Sequence, residues 1–232
     1  MRRTSRTSRT WRTFTGLACL AAVGLMTTAC LVKDTTQTIY LEPDGTVTWT
    51  VLQTDVKSNG KTAKERAREE TEFADAVRAE QQPVALAFGR LDPMSVRTDF
   101  LRSDRPYTVL TQARFARLDW LMERFFTKLG ATATSTLDAR DGAVTWTLTL
   151  SGLDDEASAH SADKDEAVEA LFDSFEHCRF VLVAGHFTDA VGFELSSDNR
   201  VATLQFPHHK ESDDTDSDAL PHFSLTWTDV EK

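Results

Sequence analysis

A β-hairpin is indicated by the octapeptide Asp44-Gly45-Thr46-Val47-Thr48-Trp49-Thr50-Val51. Its Asp-Gly dipeptide is typical of tight hairpin turns, because both residues tolerate the left-handed backbone conformation that such turns require. After the turn, apolar residues alternate with threonines, which is the period-two pattern of a half-buried strand. The sequence therefore predicts two strands, residues 38–41 and 46–56, joined by residues 42–45.

The same pattern returns later in the chain, where residues 141–148 match residues 44–51 at six of eight positions. One explanation is a duplication of this segment, which would place two like surfaces in the molecule. The other is convergence, because hairpins favour these residues in any case. A third Thr-Trp-Thr lies in the last predicted strand, residues 223–230. We expect the tryptophans of these segments to pack in the core rather than to line a groove for sugar or lipid: Trp49, Trp146 and Trp227.

Apolar residues at helical spacing, preceded by capping residues, predict four helices. Three of them cover residues 62–81, 84–91 and 118–129. The fourth starts at the capping residues Asp163 and Glu166, and its apolar stripe consists of Val168, Leu171, Phe172, Phe175 and Cys178. Further strands are predicted over residues 95–102, 107–115, 180–184, 187–195 and 201–206. Together these elements predict an α+β fold, with antiparallel hairpins and amphipathic helices packed on one face of the sheet, in a single domain of residues 38–232.

An export signal is indicated by residues 1–29, which carry five arginines and no acid ahead of an apolar run too short and too polar to span a membrane. The run ends in Leu25-Met26-Thr27-Thr28-Ala29-Cys30, which resembles the lipobox of bacterial lipoproteins, although Thr27 replaces the usual aliphatic residue. The resemblance implies cleavage before Cys30 by signal peptidase II, followed by acylation of its thiol and of its new amino group. Ordinary cleavage after Ala29, which would leave a soluble protein, is the alternative.

The lipoprotein resemblance also implies a location in the cell envelope, anchored to a bacterial membrane and facing the periplasm or the exterior. Leu31 follows the cysteine where an aspartate would favour retention in the inner membrane, so in a two-membrane cell we expect the outer membrane. Residues 30–37 are predicted to form a lipidated tether, which at about 3.3 to 3.6 Å per residue spans roughly 25 Å at most. The domain is thus expected close to the membrane.

The net charge of the chain excludes one class of partner. It is −10 for the full sequence, and the loss of residues 1–29 with their five arginines lowers it to −15. Nucleic-acid binding depends on Lys and Arg neutralising the phosphate backbone, so the sequence predicts no nucleic-acid partner. The same acidity disfavours tight adhesion to anionic lipid headgroups.

Cysteine use is sparse, because Cys19 leaves with the signal and Cys30 would be lipidated. Only Cys178 remains, so the mature chain forms no internal disulfide. The dipeptide His177-Cys178 suggests a nucleophilic pair, but adjacent residues on a helix point about 100° apart. We therefore expect Cys178 to be a buried and unreactive thiol.

Two further groups of residues carry candidate chemistry. An acidic run is flanked by His208, His209 and His222, but it lacks the glycine and distal glutamate of a calcium loop and the spacings of a zinc motif, which favours a solvated loop. Ser161-Ala162-Asp163-Lys164 and Ser197-Asp198-Asn199 match two short signatures of penicillin-recognising serine enzymes, but the third signature is absent. We expect the first of these segments at a helix start and the second in a turn.

These patterns favour a membrane-anchored envelope lipoprotein that acts as a non-enzymatic binding module for a partner protein or an apolar ligand. Cys30 is its predicted lipidation site, and no catalytic residue, cofactor or metal is predicted. The alternative is an enzyme, either a metal-dependent hydrolase that uses His208, His209 and His222 or a serine hydrolase that uses Ser161.

Overall fold

Strands form where β-branched residues alternate with apolar ones, and helices form where apolar residues recur at helical spacing. The computed structural model describes residues 31–151, 165–206 and 221–228. Within these ranges the strands are β1 (Leu31–Leu41), β2 (Val47–Ser58), β3 (Ser95–Arg102), β4 (Tyr107–Phe115), β5 (Thr132–Arg140), β6 (Ala143–Ser151), β7 (Arg179–Leu182), β8 (His186–Val191), β9 (Phe193–Leu195), β10 (Val201–Leu204) and β11 (His222–Thr228). The helices are α1 (Ala63–Arg78), α2 (Pro83–Gly89), α3 (Leu118–Lys128) and α4 (Glu166–Phe172), and a 3-10 turn spans Phe175–His177.

The strands form two sheets, which confirms the predicted α+β class. The larger sheet has the order β3-β4-β2-β1-β7-β10-β9, and the smaller has the order β5-β6-β11-β8. All neighbouring pairs are antiparallel except β1 and β7, which run parallel. The hairpins are antiparallel as predicted, and the parallel β1–β7 pair and the second sheet are additions that the sequence did not predict. A parallel pair needs a long crossover connection, and the chain between β1 and β7 supplies it.

Both octapeptides begin at a tight turn, as predicted. The glycine of each turn adopts the left-handed conformation, with φ of 80° at Gly45 and 79° at Gly142. In the first turn the Asp44 carboxylate accepts hydrogen bonds from the backbone N–H of Thr46 at 2.9 Å and from its hydroxyl at 2.6 Å. These contacts stabilise the turn without help from the rest of the fold.

The two hairpins also share the placement of their central tryptophan. Trp49 pairs with Ile39 on β1, and Trp146 pairs with Leu137 on β5. In each hairpin the indole Nε1 donates to the side chain two residues before that paired residue. Trp49 donates to Gln37 Oε1, and Trp146 donates to Ser135 Oγ, both at 2.9 Å. The likeness of the octapeptides therefore extends to register and side-chain hydrogen bonding.

The predicted tether is part of the sheet. β1 begins at Leu31 rather than at residue 38, and its first residues pair with the end of β2, Leu31 with Ser58 and Val32 with Lys57. Residues 31–37 contain no glycine or proline, so they can continue the ladder of β1 toward Cys30. The interpretation of residues 30–37 as a free linker was therefore wrong from Leu31 onward.

Helix starts follow the predicted capping chemistry, with one correction. Thr62 caps α1, where its hydroxyl accepts a hydrogen bond from the backbone N–H of Glu65 at 3.1 Å. The cap of α4 is Asp165, which accepts from the N–H of Ala167, and not Asp163 as expected. Asp163 lies outside the described residues.

The core is built around Trp49, which is fully buried and makes edge contacts with Phe88, Phe125 and Phe175 at ring-centroid distances of 5.1 to 5.4 Å. Burial of Trp146 and Trp227 confirms the expectation that the three tryptophans pack inward, although Trp227 also lines a cleft. A second, smaller cluster lies beneath α1 and consists of Val56, Phe73, Ala74, Val77, Tyr107 and Val109.

None of the described helices is long and apolar enough to cross a membrane. The predicted signal, residues 1–29, and Cys30 lie outside the described residues.

Candidate functional site

A cleft of about 140 Å³ opens between the two repeated hairpins. Its first wall is the turn end of the β1–β2 hairpin, and its second wall is the turn end of β5 and β6 together with the adjacent strand β11. The residues that line it are Leu41, Glu42, Pro43, Gly45, Thr46, Val47, Leu118, Leu137, Ala139, Val144 and Trp227. Each octapeptide contributes its first valine, Val47 on one side and Val144 on the other.

The walls of the cleft are mostly aliphatic, with the Trp227 indole as the one aromatic surface among the described lining residues. Glu42 is the one titratable side chain among them. Such a lining favours transfer of an apolar group from water, at roughly 25 cal/mol for each Å² of apolar surface removed. An apolar group is therefore the kind of ligand that this lining suits.

The rim of the cleft is rigid and charged. Hydrogen bonds from the Thr46 hydroxyl and then from its backbone N–H hold the pKa of Asp44 below its usual range, and the nearby Arg114 guanidinium acts in the same direction. Arg114 Nη2 lies 2.9 Å from Asp44 Oδ2, and it also donates to the Thr46 hydroxyl at 3.0 Å. These contacts join the first hairpin turn to β4, so the wall that Gly45 and Thr46 provide is held in place.

The cleft lies far from the point where the described chain begins. β1 is continuous from Leu31 to Leu41, and at about 3.3 Å per residue its two ends are about 33 Å apart. Leu41 lines the cleft, whereas Leu31 directly follows Cys30 in sequence. An anchor on Cys30 would therefore place the cleft on the side of the domain that faces away from the membrane.

The residues singled out as enzymatic candidates are not brought together in the described structure. His222 lies exposed on β11, where its Nδ1 is 3.3 Å from the Thr149 hydroxyl. His208, His209 and Ser161 lie outside the described residues, and within the described ranges no three His, Cys, Asp or Glu side chains are grouped to hold a metal. Residues 197–199 form a turn, as expected.

Cys178 is fully buried after the 3-10 turn, which confirms its predicted burial but not its predicted place on a helix. Desolvation by burial raises the pKa of its thiol far above the usual range, and the nearby Arg179 lowers it only in part. The thiolate that reacts with alkylating reagents is therefore suppressed in the folded protein.

Cys178 is expected to react with iodoacetamide at least about a thousandfold more slowly in the folded mature chain than in denaturant, because reaction requires local or global opening. A Cys30→Ser background makes it the one thiol of the mature chain. Mass spectrometry over time measures the rate, and an added cysteine on the exposed face of α1, Ala67→Cys, is the control that should react at once. Equal rates at both positions in the folded protein would contradict the burial of Cys178.

Sequence patterns missed the cleft because each of its walls resembles an ordinary strand end. The one available signal was the repeat itself, which predicted two like hairpins but not that their turn ends lie against one cavity. Leu137 and Ala139 gave no signal, because they lie in a polar strand whose pairing with β6 is known only from the structure.

The fold and the cleft define a two-sheet α+β protein with a mostly apolar cleft between two similar hairpins. No family model matches the chain, and no curated protein matches it. Among solved structures it is similar to the folded domain of the LppM protein of Mycobacterium tuberculosis, determined by NMR, at 14% identity and a TM-score of 0.38, over 86% of this chain and 91% of that one. It is also similar to the Fcho1 mu homology domain of Danio rerio, solved with a bound Eps15 peptide, at 9% identity and a TM-score of 0.22, over 88% of this chain and 82% of that one. Both TM-scores are low, so neither neighbour's fold nor its ligand is carried over to this chain.

Proposed function

We propose that the mature protein is an envelope lipoprotein, anchored through lipid on Cys30, whose domain is a non-enzymatic module that binds one apolar group in the cleft between the hairpins. The observation that carries the binding function is the cleft itself, with its aliphatic walls and the Trp227 indole that lines it. The lipobox resemblance supports the anchor. The start of β1 immediately after Cys30 supports an anchor that holds the domain directly against the bilayer.

The size of the cleft limits what it can bind. A cavity of about 150 Å³ accepts a molecule of benzene size, whereas sites for drug-sized ligands occupy roughly 300 to 1,000 Å³. We infer that the ligand inserts a single group, such as an aromatic or aliphatic side chain of a partner protein or the end of an acyl chain. The distance of about 33 Å along β1 favours a partner that approaches from outside over a lipid of the anchoring membrane.

Titration with benzyl alcohol tests the cleft. In ¹H–¹⁵N correlation spectra we expect saturable chemical-shift changes of the Trp227 indole N–H and of the Ala139 and Val144 backbone amides. For so small a probe the dissociation constant should lie in about the millimolar range. Ala139→Phe places a ring in the cleft and should abolish these shifts. Its matched control is Ala67→Phe on the exposed face of α1, which should leave them unchanged.

Two outcomes would contradict the cleft as a site. One is a set of shifts that spreads over the surface without saturation, and the other is an Ala139→Phe variant that binds like the wild type. The enzymatic alternative uses Ser161, His208 and His209, which lie outside the described residues, and nothing observed around His222 favours it.

A further inference from the structure

The end of the larger sheet opposite the cleft gathers several chain segments at the point where β1 begins. Val32 pairs with Lys57, so the start of β1 and the end of β2 lie side by side. Val56 pairs with Tyr107, which brings the β3–β4 turn to the same level of the sheet. The first turn of α1 follows β2 after four residues, and Arg66 Nη1 donates to Gly60 O at 2.8 Å.

Buried hydrogen bonds hold this end together. The Ser58 hydroxyl donates to the Glu69 carboxylate, and the Ser58 N–H donates to Glu70 Oε1 at 3.1 Å. Arg105 of the β3–β4 turn lies 3.0 Å from Glu70 Oε2 through its Nε. Both carboxylates are thus turned inward and engaged.

Four of the five lysines that the structure describes lie at this end: Lys33, Lys57, Lys61 and Lys64. All four have exposed side chains, although partial desolvation of the Lys33 ammonium lowers its pKa. None of the four forms an ion pair with another residue of the described ranges. Exposed acids are also present, of which Asp104 is paired with Arg102, while Asp34 and Asp55 are not paired. The positive charges are therefore in excess among the unpaired exposed groups of this end.

Exposed aliphatic side chains accompany the lysines. Val32 is 48% exposed and Leu101 is 60% exposed, although most large apolar residues of the fold are buried. Apolar side chains between cationic ones are the composition of surfaces that rest on anionic lipid headgroups, where the aliphatic groups enter the interface and the ammonium groups meet phosphates. We call this set the anchor-end surface: Val32, Lys33, Lys57, Lys61, Lys64 and Leu101.

We propose that the anchor-end surface rests on an anionic lipid bilayer and fixes the orientation of the domain, so that the cleft faces outward. This inference rests on the proposed anchor at Cys30, because Leu31 is the next residue and lies at the same end. The negative charge of the whole mature chain does not prevent it. Charges more than about 8 to 10 Å from the membrane are largely screened at physiological salt, so the groups nearest the bilayer dominate the interaction.

Vesicle sedimentation tests the proposal on the mature chain, residues 30–232, with Cys30→Ser so that no lipid contributes. Every described element lies within these residues, and the arginines of the signal are absent. We expect binding to vesicles of phosphatidylcholine with about 30% phosphatidylglycerol at low salt, weakened at about 0.15 M salt. Vesicles of phosphatidylcholine alone should bind far less.

Charge-matched variants separate this surface from net charge. Lys33, Lys57, Lys61 and Lys64 changed together to Gln should lower the partition coefficient by roughly six hundredfold, at about fivefold for each lysine. The control changes four exposed arginines elsewhere to Gln, namely Arg90, Arg97, Arg124 and Arg140, and should retain binding. Circular dichroism confirms that both variants are folded.

Three outcomes would overturn the proposal: no binding to anionic vesicles, equal binding to neutral vesicles, or an equal loss in the two variants. Because the assayed chain is unlipidated and the cleft is untouched, these outcomes are independent of palmitate labelling at Cys30 and of benzyl alcohol binding.

Discussion

Cys30→Ser is expected to abolish the incorporation of labelled palmitate and to move the protein from the membrane fraction to the soluble fraction. Acylation requires the thiol, and serine does not provide it. Several acyl chains contribute roughly 0.8 kcal/mol for each buried methylene, whereas the lysines of the anchor-end surface alone give weak and salt-sensitive binding. The measurement is labelling in cells that produce the full chain, followed by fractionation at about 0.15 M salt.

Cys19→Ser is the control for this experiment, because that residue is discarded with the signal and its loss should change neither labelling nor location. Absence of label in the wild type, or unchanged label in Cys30→Ser, would contradict the lipobox interpretation. The protein would then be a soluble secreted domain. In a two-membrane cell, fractionation of the wild type also tests the expected outer-membrane location.

Trp49→Ala is expected to lower the free energy of unfolding by about 3 to 5 kcal/mol, the range for removal of a buried large aromatic side chain. The indole fills the centre of the core against three phenylalanine rings. It also donates to Gln37, whose Nε2 donates in turn to Leu171 O and to Ser174 Oγ, both at 2.6 Å. The tryptophan therefore joins β2, β1 and the α4 region.

Trp49→Phe separates the two contributions, because phenylalanine retains most of the packing and removes the hydrogen bond. We expect this variant to lose about 1 to 3 kcal/mol, since Gln37 Oε1 is left buried without a donor. Urea denaturation followed by circular dichroism measures both changes. A Trp49→Ala variant as stable as the wild type, or no difference between the two variants, would show that Trp49 is not the centre of the core.

Most of the secondary structure could be predicted from the sequence, because its signals are local. The β3 and β4 boundaries agree with the predicted residues 95–102 and 107–115, where alternating residues flank a turn. The start of α1 agrees because Thr62 caps its own helix. The α4 region agrees less well, since its apolar spacing continues through a short 3-10 turn to Cys178 and predicted one longer helix.

The candidate sites could be predicted much less well. Net charge disfavoured contact with anionic lipid, yet the structure gathers four lysines from three separate elements at one end. Lys57, Lys61 and Lys64 are close in the sequence, but Lys33 joins them only through the β1–β2 pairing. The cleft was missed for the same reason.

Local sequence was sufficient for the turns at Asp44-Gly45 and Asp141-Gly142, the alternation of strand faces, the cap of α1 and the burial of the tryptophans. Each of these depends on neighbours a few residues away, or on the preference of an apolar side chain for any dry environment. Tertiary structure was needed for the parallel pairing of Ile39 with Phe180, the inclusion of residues 31–37 in β1, the cleft and the anchor-end surface. These arise from packing between distant segments, where many partners of similar apolarity compete and only the complete fold selects one.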